Sequence, residues 1–170
     1  MNRTQILLAQ PQVVRRAGPG DTTTLTGLLA NLSPDDYFWR FLTGRGGPAP
    51  AWMLARLLDD GDGRRGAWFA LDQTSAIAVG HACWTLSPGD VADIGAFVLG
   101  DRQQQGLGQA LVRAAVTEAA AAGARQARFD VHPGNRLIAA SLRSRLAPHR
   151  AVLVDGLLRW QVPVGVVLAS

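Results

Sequence analysis

The sequence predicts an α/β fold, and three observations carry the prediction. Val91 to Leu99 is rich in β-branched and small apolar residues and reads as a buried strand. A polar, glycine-containing loop follows it, and from Gly106 an Ala/Leu/Val helix continues to a stop at Gly123. Gln126 to Val131 is then a second strand, followed after His132-Pro133-Gly134 by helical spacing from Asn135 to Arg145. At 170 residues the chain can bury a sizeable core, and no internal repeat or interior boundary divides it.

Residues 1 to 11 show no period and read as a tail. Gln12 to Arg16 forms a first strand, ended by Gly18-Pro19-Gly20. Asp21 or Thr22 caps a helix through Leu25, Leu28, Leu29 and Leu32. Ser33 at the cap, Pro34 at the first helical position and two acids in the first turn open a second helix. This helix is expected to turn Tyr37, Phe38, Phe41 and Leu42 inward. Ala51 to Leu58 is a short helix, and Asp59, Asp60 and Asp62 follow in a turn. Gly66 to Leu71 and Ile77 to Leu86 read as antiparallel strands, and Ser87-Pro88-Gly89-Asp90 turns the chain into the Val91 strand. On the long helix, Gln109, Arg113 and Thr117 make one polar stripe, and nearly everything else is apolar, the chain's one glutamate, Glu118, excepted. Ala151 to Asp155 and Leu157 to Val162 close the chain as a hairpin, so one domain spans 12–163 and an apolar tail spans 164–170. That tail can pair with a second copy, giving a homodimer, or fold back; the sequence leaves both open.

Strand, glycine loop and helix start together make a place for an anion. The first amides of a helix have no intrahelical partner, and the helix dipole leaves partial positive charge there. Glycines at 106 and 108 remove the Cβ atoms that would hold a phosphate off the backbone. A Walker A loop needs a lysine after its last glycine, and this chain contains no lysine. A dinucleotide fingerprint needs a third small residue where Leu111 stands.

What remains, Gln103-x-x-Gly106-x-Gly108, resembles the Q/R-x-x-G-x-G/A loop with which GNAT N-acetyltransferases cradle the pyrophosphate of acetyl-coenzyme A. The order of strand, polar turn, alanine-rich helix, second strand and Asn-led helix is also similar, from about Gln12 to Pro163. The string LSPDDYFWRF is similar to the segment at this place in the bacterial protein-lysine acetyltransferase branch, though a capped amphipathic helix explains it equally well. The resemblance implies a mixed, mostly antiparallel sheet splayed at the central strand, with helices on both faces. It implies acetyl-coenzyme A as cosubstrate and a primary amine, of a protein lysine or a small molecule, as acceptor. The coenzyme would touch Phe97, Val98, Arg102, Gln103, Gln104, Gln105, Gly106, Leu107, Gly108, Gln109 and Asn135. For Phe97, Arg102 and Asn135 the plain alternatives are core packing, a solvated loop arginine and a helix cap.

Direct acetyl transfer needs an amine that has lost its proton and a donor for the thioester oxygen. The resemblance places Asp93 where the lysine-acetyltransferase branch carries a glutamate base. Aspartate is shorter, so a bridging water is expected; a solvent-facing or arginine-paired aspartate is the alternative. It points to the Val98 amide as the oxyanion donor, freed by a β-bulge. Two departures stand out: Leu142 replaces the family's acidic tyrosine, and Leu146-Ala147-Pro148 replaces its Gly-Phe. These favour a rival reading as an acyl-coenzyme A sensor that binds without turnover.

The remaining chemistry is sparse. A net charge of +4 is spread along the chain, with only Arg15-Arg16 and Arg64-Arg65 adjacent, so a nucleic-acid partner is not expected. His81, His132 and His149 read as structural or exposed, and Cys83 as a buried, inert thiol. No metal-ligand spacing appears. The Asp59–Asp62 turn could attract a cationic amine or simply be solvated. One cysteine fits a reducing cytoplasm, and no apolar run has transmembrane length, so neither an anchor nor a membrane partner is expected.

Overall fold

A computed structural model describes residues 14–44 and 46–170. The expected N-terminal tail, with Gln12 and Val13, lies outside the described residues. Seven strands form one sheet in the order β1-β2-β3-β4-β5-β7-β6. They are β1 Val14–Ala17, β2 Arg65–Leu71, β3 Ala78–Ser87, β4 Val91–Val98, β5 Gln126–Val131, β6 Val152–Val154 and β7 Leu157–Pro163. Every neighbouring pair is antiparallel except β4 with β5. The helices are α1 Thr22–Ala30, α2 Pro34–Phe41, α3 Ala51–Leu57, α4 Leu107–Ala121, α5 Arg136–Arg145 and α6 Val164–Ala169.

Side chains alternate across each strand, and this alternation builds two cores. On one face Leu25, Leu28 and Leu29 of α1, Tyr37 of α2 and Leu54 of α3 pack on Ala67 and Phe69 of β2. On the other, Leu111, Ala115, Val116 and Ala119 of α4 pack with Trp84, Ala92, Ile94 and Trp160. The polar stripe of α4 stays in solvent, as its spacing predicts. The single glutamate, Glu118, is the exception on that helix. Its Oε2 accepts from the indole N–H of Trp68 at 2.9 Å and of Trp84 at 2.8 Å, and its Oε1 pairs with Arg16 at 2.7 Å.

Three expectations change. The segment 164–170 is a helix, not a tail: Val167 is buried against α4, and Gln109 Nε2 donates to the Ser170 carbonyl at 3.2 Å. Six small apolar residues carry no polar period, so nothing in their order distinguishes a packed helix from a loose end. In α2, Ser33 caps as expected, its Oγ accepting from the Asp36 amide at 3.0 Å. Only Tyr37 is fully buried there; Leu42 is the left-handed cap that ends the helix and is exposed, and Phe38 is exposed beside Trp39 and His132 rather than in the core. No bulge interrupts β4 against β3, where the register runs unbroken from Ser87↔Val91 to Gly80↔Val98.

Candidate active site

The splay of the sheet arises from the way β4 and β5 part. Their parallel pairing covers Val91↔Gln126, Ala92↔Ala127 and Asp93↔Arg128, and stops. Beyond Asp93 the two strands diverge, leaving a wedge between Ile94–Val98 on one side and Phe129–Val131 on the other. On β4, the Leu99 amide bonds back to Val79 O at 2.9 Å. Backbone groups alternate in an antiparallel ladder, so the N–H and C=O of Val98 face the wedge. The Val98 carbonyl accepts from Gln103 Nε2 at 3.1 Å, which ties the following loop to the strand end.

That loop is shaped for the start of α4. A 3-10 turn over Gly100–Arg102 leads to Gln104 at φ +62° and Gly106 at φ +79°. The second of these is the N-cap, and glycine is the residue that takes such a left-handed φ at little steric cost. It brings no side chain to cap the helix. The first intrahelical bond runs from Ala110 N to Gly106 O, so the amides of Gly106, Leu107, Gly108 and Gln109 lie ahead of the helical ladder. At Gly108 a Cβ would meet nothing in the protein closer than Val98 Cγ2 at 3.9 Å. Protein packing does not require a glycine there, and the side of the helix start is left open.

The other expected coenzyme contacts divide. Gln104 and Gln105 are exposed, while Leu107 is buried and anchors α4 in the core. Gln103 and Gln109 use their side chains on Val98 and Ser170. Arg102 turns to Asp72 of the β2–β3 turn at 2.8 Å, with Asp101 at 3.6 Å. Ser75 and Thr74 also bond the Asp72 carboxyl, and these hydrogen bonds hold it below the usual carboxylate range. Asn135 is the cap of α5, its side chain accepting from Ile138 N at 3.3 Å.

On the face turned toward α2, β4 presents Asp93, Gly95 and Phe97 in succession. Arg128 holds Asp93 in a fork, Nε on Oδ1 and Nη2 on Oδ2, the latter at 2.7 Å, and Ser87 Oγ donates to Oδ2. The arginine-paired alternative for Asp93 is therefore what the fold builds. A carboxylate has about four lone-pair sites. Three are used, leaving one on Oδ1. The structure does not bring the turn carboxylates into play as lures for an amine: Asp59 pairs with Arg16 at 2.9 Å and Asp60 with Arg65 at 2.7 Å. Leu142 packs on the core, and the chain's one tyrosine, Tyr37, directs its hydroxyl to Met53 Sδ.

Beneath Phe97 lies His81, wholly buried between the rings of Phe69 and Phe97, each 5.6 Å away. Its Nε2 bonds Leu57 O at 2.8 Å. Burial first, and then the charge of Arg40, push its pKa down to about 3, so it is neutral and structural. Cys83 is the neighbour of Arg40, whose Nη2 lies 3.3 Å from Sγ.

The parallel strands β4 and β5 thus part into a wedge, and the α4 start beyond Val98 has no side-chain cap. The comparisons specify the class. The GNAT domain of S. lividans PAT superposes with a TM-score of 0.79 at 18% identity, covering 89% of this chain and 90% of that one. A GNAT-family acetyltransferase from Streptococcus pneumoniae gives 0.67 at 15% identity, over 89% and 99%. The ribosomal-protein-S18-alanine N-acetyltransferase from Escherichia coli gives 0.62 at 16%, over 90% and 94%. No curated protein sequence is a significant match to this chain. The profile of the acetyltransferase (GNAT) family matches residues 30–141, and the chain belongs to that family. It is by family an N-acetyltransferase, drawing its acyl group from acyl-coenzyme A. Among the described residues no helix is long and apolar enough to cross a membrane.

Proposed function

We propose that the chain transfers an acetyl group from acetyl-coenzyme A to a primary amine by direct attack, with the donor held along the β4 edge. The observation that carries this reading is the row of amides from Gly106 to Gln109, uncapped and ahead of the helical ladder, at the mouth of the wedge. These amides suit a pyrophosphate. The Val98 amide, turned into the wedge, suits the oxygen that becomes negative as the amine adds. Asp93 faces α2 on the acceptor side, and its remaining Oδ1 lone pair can take the amine's proton through a water. The fork from Arg128 fixes its position.

The acceptor is a lysine of a protein or a small amine. The resemblance of the Leu32–Phe41 segment to the lysine-acetyltransferase branch supports the former. One observation favours a second reading, a module that binds acyl-coenzyme A without turnover: both oxygens of Asp93 are already engaged. Release of free thiol from acetyl-coenzyme A, followed with a panel of amines and lysine peptides, separates the two. Amine-dependent release is expected, falling about 100-fold in Asp93→Asn, the scale of a lost general base, with coenzyme binding retained. Binding without release under any amine supports the sensor reading, and a fully active Asp93→Asn refutes the assignment of the base.

A further inference from the structure

His132 follows β5 directly, and the register of the last β4–β5 pair fixes its height. From Asp93↔Arg128, equal steps along the two strands set His132 level with Phe97, one residue short of Val98. It therefore stands across the wedge from the amide that faces the reacting carbonyl in the reading above. The ring is held from two sides: Phe38 lies 5.8 Å away edge-on, and Trp39 lies 5.3 Å away. Trp39 in turn rests on Gly134, where a Cβ would come within 2.9 Å of its Cη2.

The tautomer is set as well. Gly134 N donates to His132 Nδ1 at 3.0 Å. An Nδ1 that accepts carries no proton, so the hydrogen of the neutral ring is on Nε2. Among the described residues no carboxylate pairs with this histidine, and its Nε2 has no hydrogen-bond partner. The ring is half-buried. This geometry excludes His132 as the base, because its one lone pair is already taken by Gly134. It leaves a neutral N–H donor of fixed orientation.

We propose that His132 Nε2–H is the second donor of the oxyanion hole, paired across the wedge with the Val98 amide. In the step it serves, the amine nitrogen bonds the thioester carbon, its proton passes through water to Asp93, and the carbonyl π pair moves onto oxygen. His132 and Val98 hydrogen-bond that oxygen, and the pair returns as the C–S bond breaks and the thiolate leaves. His132 gives up no proton. A neutral imidazole donor suits this task because it stabilises the developing charge without requiring an imidazolate. The proposal rests on acetyl-coenzyme A occupying the wedge.

Two variants test it. His132→Phe keeps a ring against Phe38 and Trp39 but has no N–H. His132→Asn can still accept from Gly134 and still donates. With acetyl-coenzyme A, kcat is expected to fall about 100-fold in His132→Phe, the usual effect of losing one such donor, and to recover at least tenfold in His132→Asn. The Kd for acetyl-coenzyme A should stay within about threefold in both. In isotope-edited infrared difference spectra, the thioester carbonyl stretch of bound acetyl-coenzyme A should lie lower in the wild type than in His132→Phe. Equal kcat and an equal carbonyl frequency in wild type and His132→Phe overturn the proposal. An equal loss in both variants with the frequency unmoved assigns His132 to packing and overturns it too. Failure of the wild type to bind acetyl-coenzyme A is a different result, which removes the donor-site reading itself.

Discussion

Gly108→Glu separates the stability of the fold from the grip on the donor, because the two effects have opposite signs. The position is the second residue of α4, half-exposed, with only Val98 Cγ2 near a Cβ. Replacing glycine in a helix gains roughly 0.5 kcal/mol. A carboxylate in the first turn adds about 0.3–1 kcal/mol through the helix dipole. The unliganded variant should therefore be as stable as the wild type or slightly more so. For the donor the same carboxylate is harmful. It competes for the amides of Gly106, Leu107 and Gly108 and repels a diphosphate. Three amide contacts at about 1 kcal/mol each amount to roughly 3 kcal/mol, or about 100-fold in Kd. Urea unfolding and calorimetric titration with acetyl-coenzyme A read the two quantities on one preparation. Wild-type affinity in a folded Gly108→Glu protein would refute the reasoning, since the anion would then be held elsewhere.

The buried histidine predicts an acid limit. His81 has a folded pKa of about 3 against an ordinary 6.5, so its contribution is complete above pH 6.5 and is lost as pH falls toward 3. Urea unfolding should show about 2 kcal/mol less stability at pH 5 than at pH 7. His81→Gln, which keeps a donor for Leu57 O and does not titrate, should lack that loss; an identical slope in the variant contradicts the assignment. Asp21 and Asp72, whose carboxyls are held low mainly by hydrogen bonds, from Arg15 and from Ser75, act only below about pH 4 and do not confuse the window. Glu118→Ala strands two indole N–H groups and leaves Arg16 with Asp59 alone, which should cost about 3 kcal/mol and lower Tm by roughly 8 °C. A shift under 2 °C by calorimetry would show that water replaces the carboxylate.

Much of this architecture was legible in the order of residues, for local reasons. Ser33-Pro34, the turn at Gly89 and the glycines at 106 and 123 punctuate the chain, and punctuation of that kind depends on backbone conformations that neighbouring residues declare. The loop from Gln103 to Gly108 was readable for the same reason. What escaped depends on register. That β4 and β5 part after Asp93 is decided by packing across the sheet, and nothing within Val91–Val98 announces it; the bulge expected at Val98 stood in for a divergence of whole strands. Asp93 meets Arg128 only because the last parallel pair aligns them. Glu118 was placed on its helix but not under two tryptophans from β2 and β3. His132 looks structural or exposed in the sequence, because its height against β4 is a property of two strands at once.

An amide-resolved NMR titration with acetyl-coenzyme A observes directly the main-chain hydrogens at the α4 start and the β4 edge. The resonances of Val98, Gly106, Leu107 and Gly108 are expected to move most, saturating together. Those four signals holding still while another part of the surface responds would contradict that expectation.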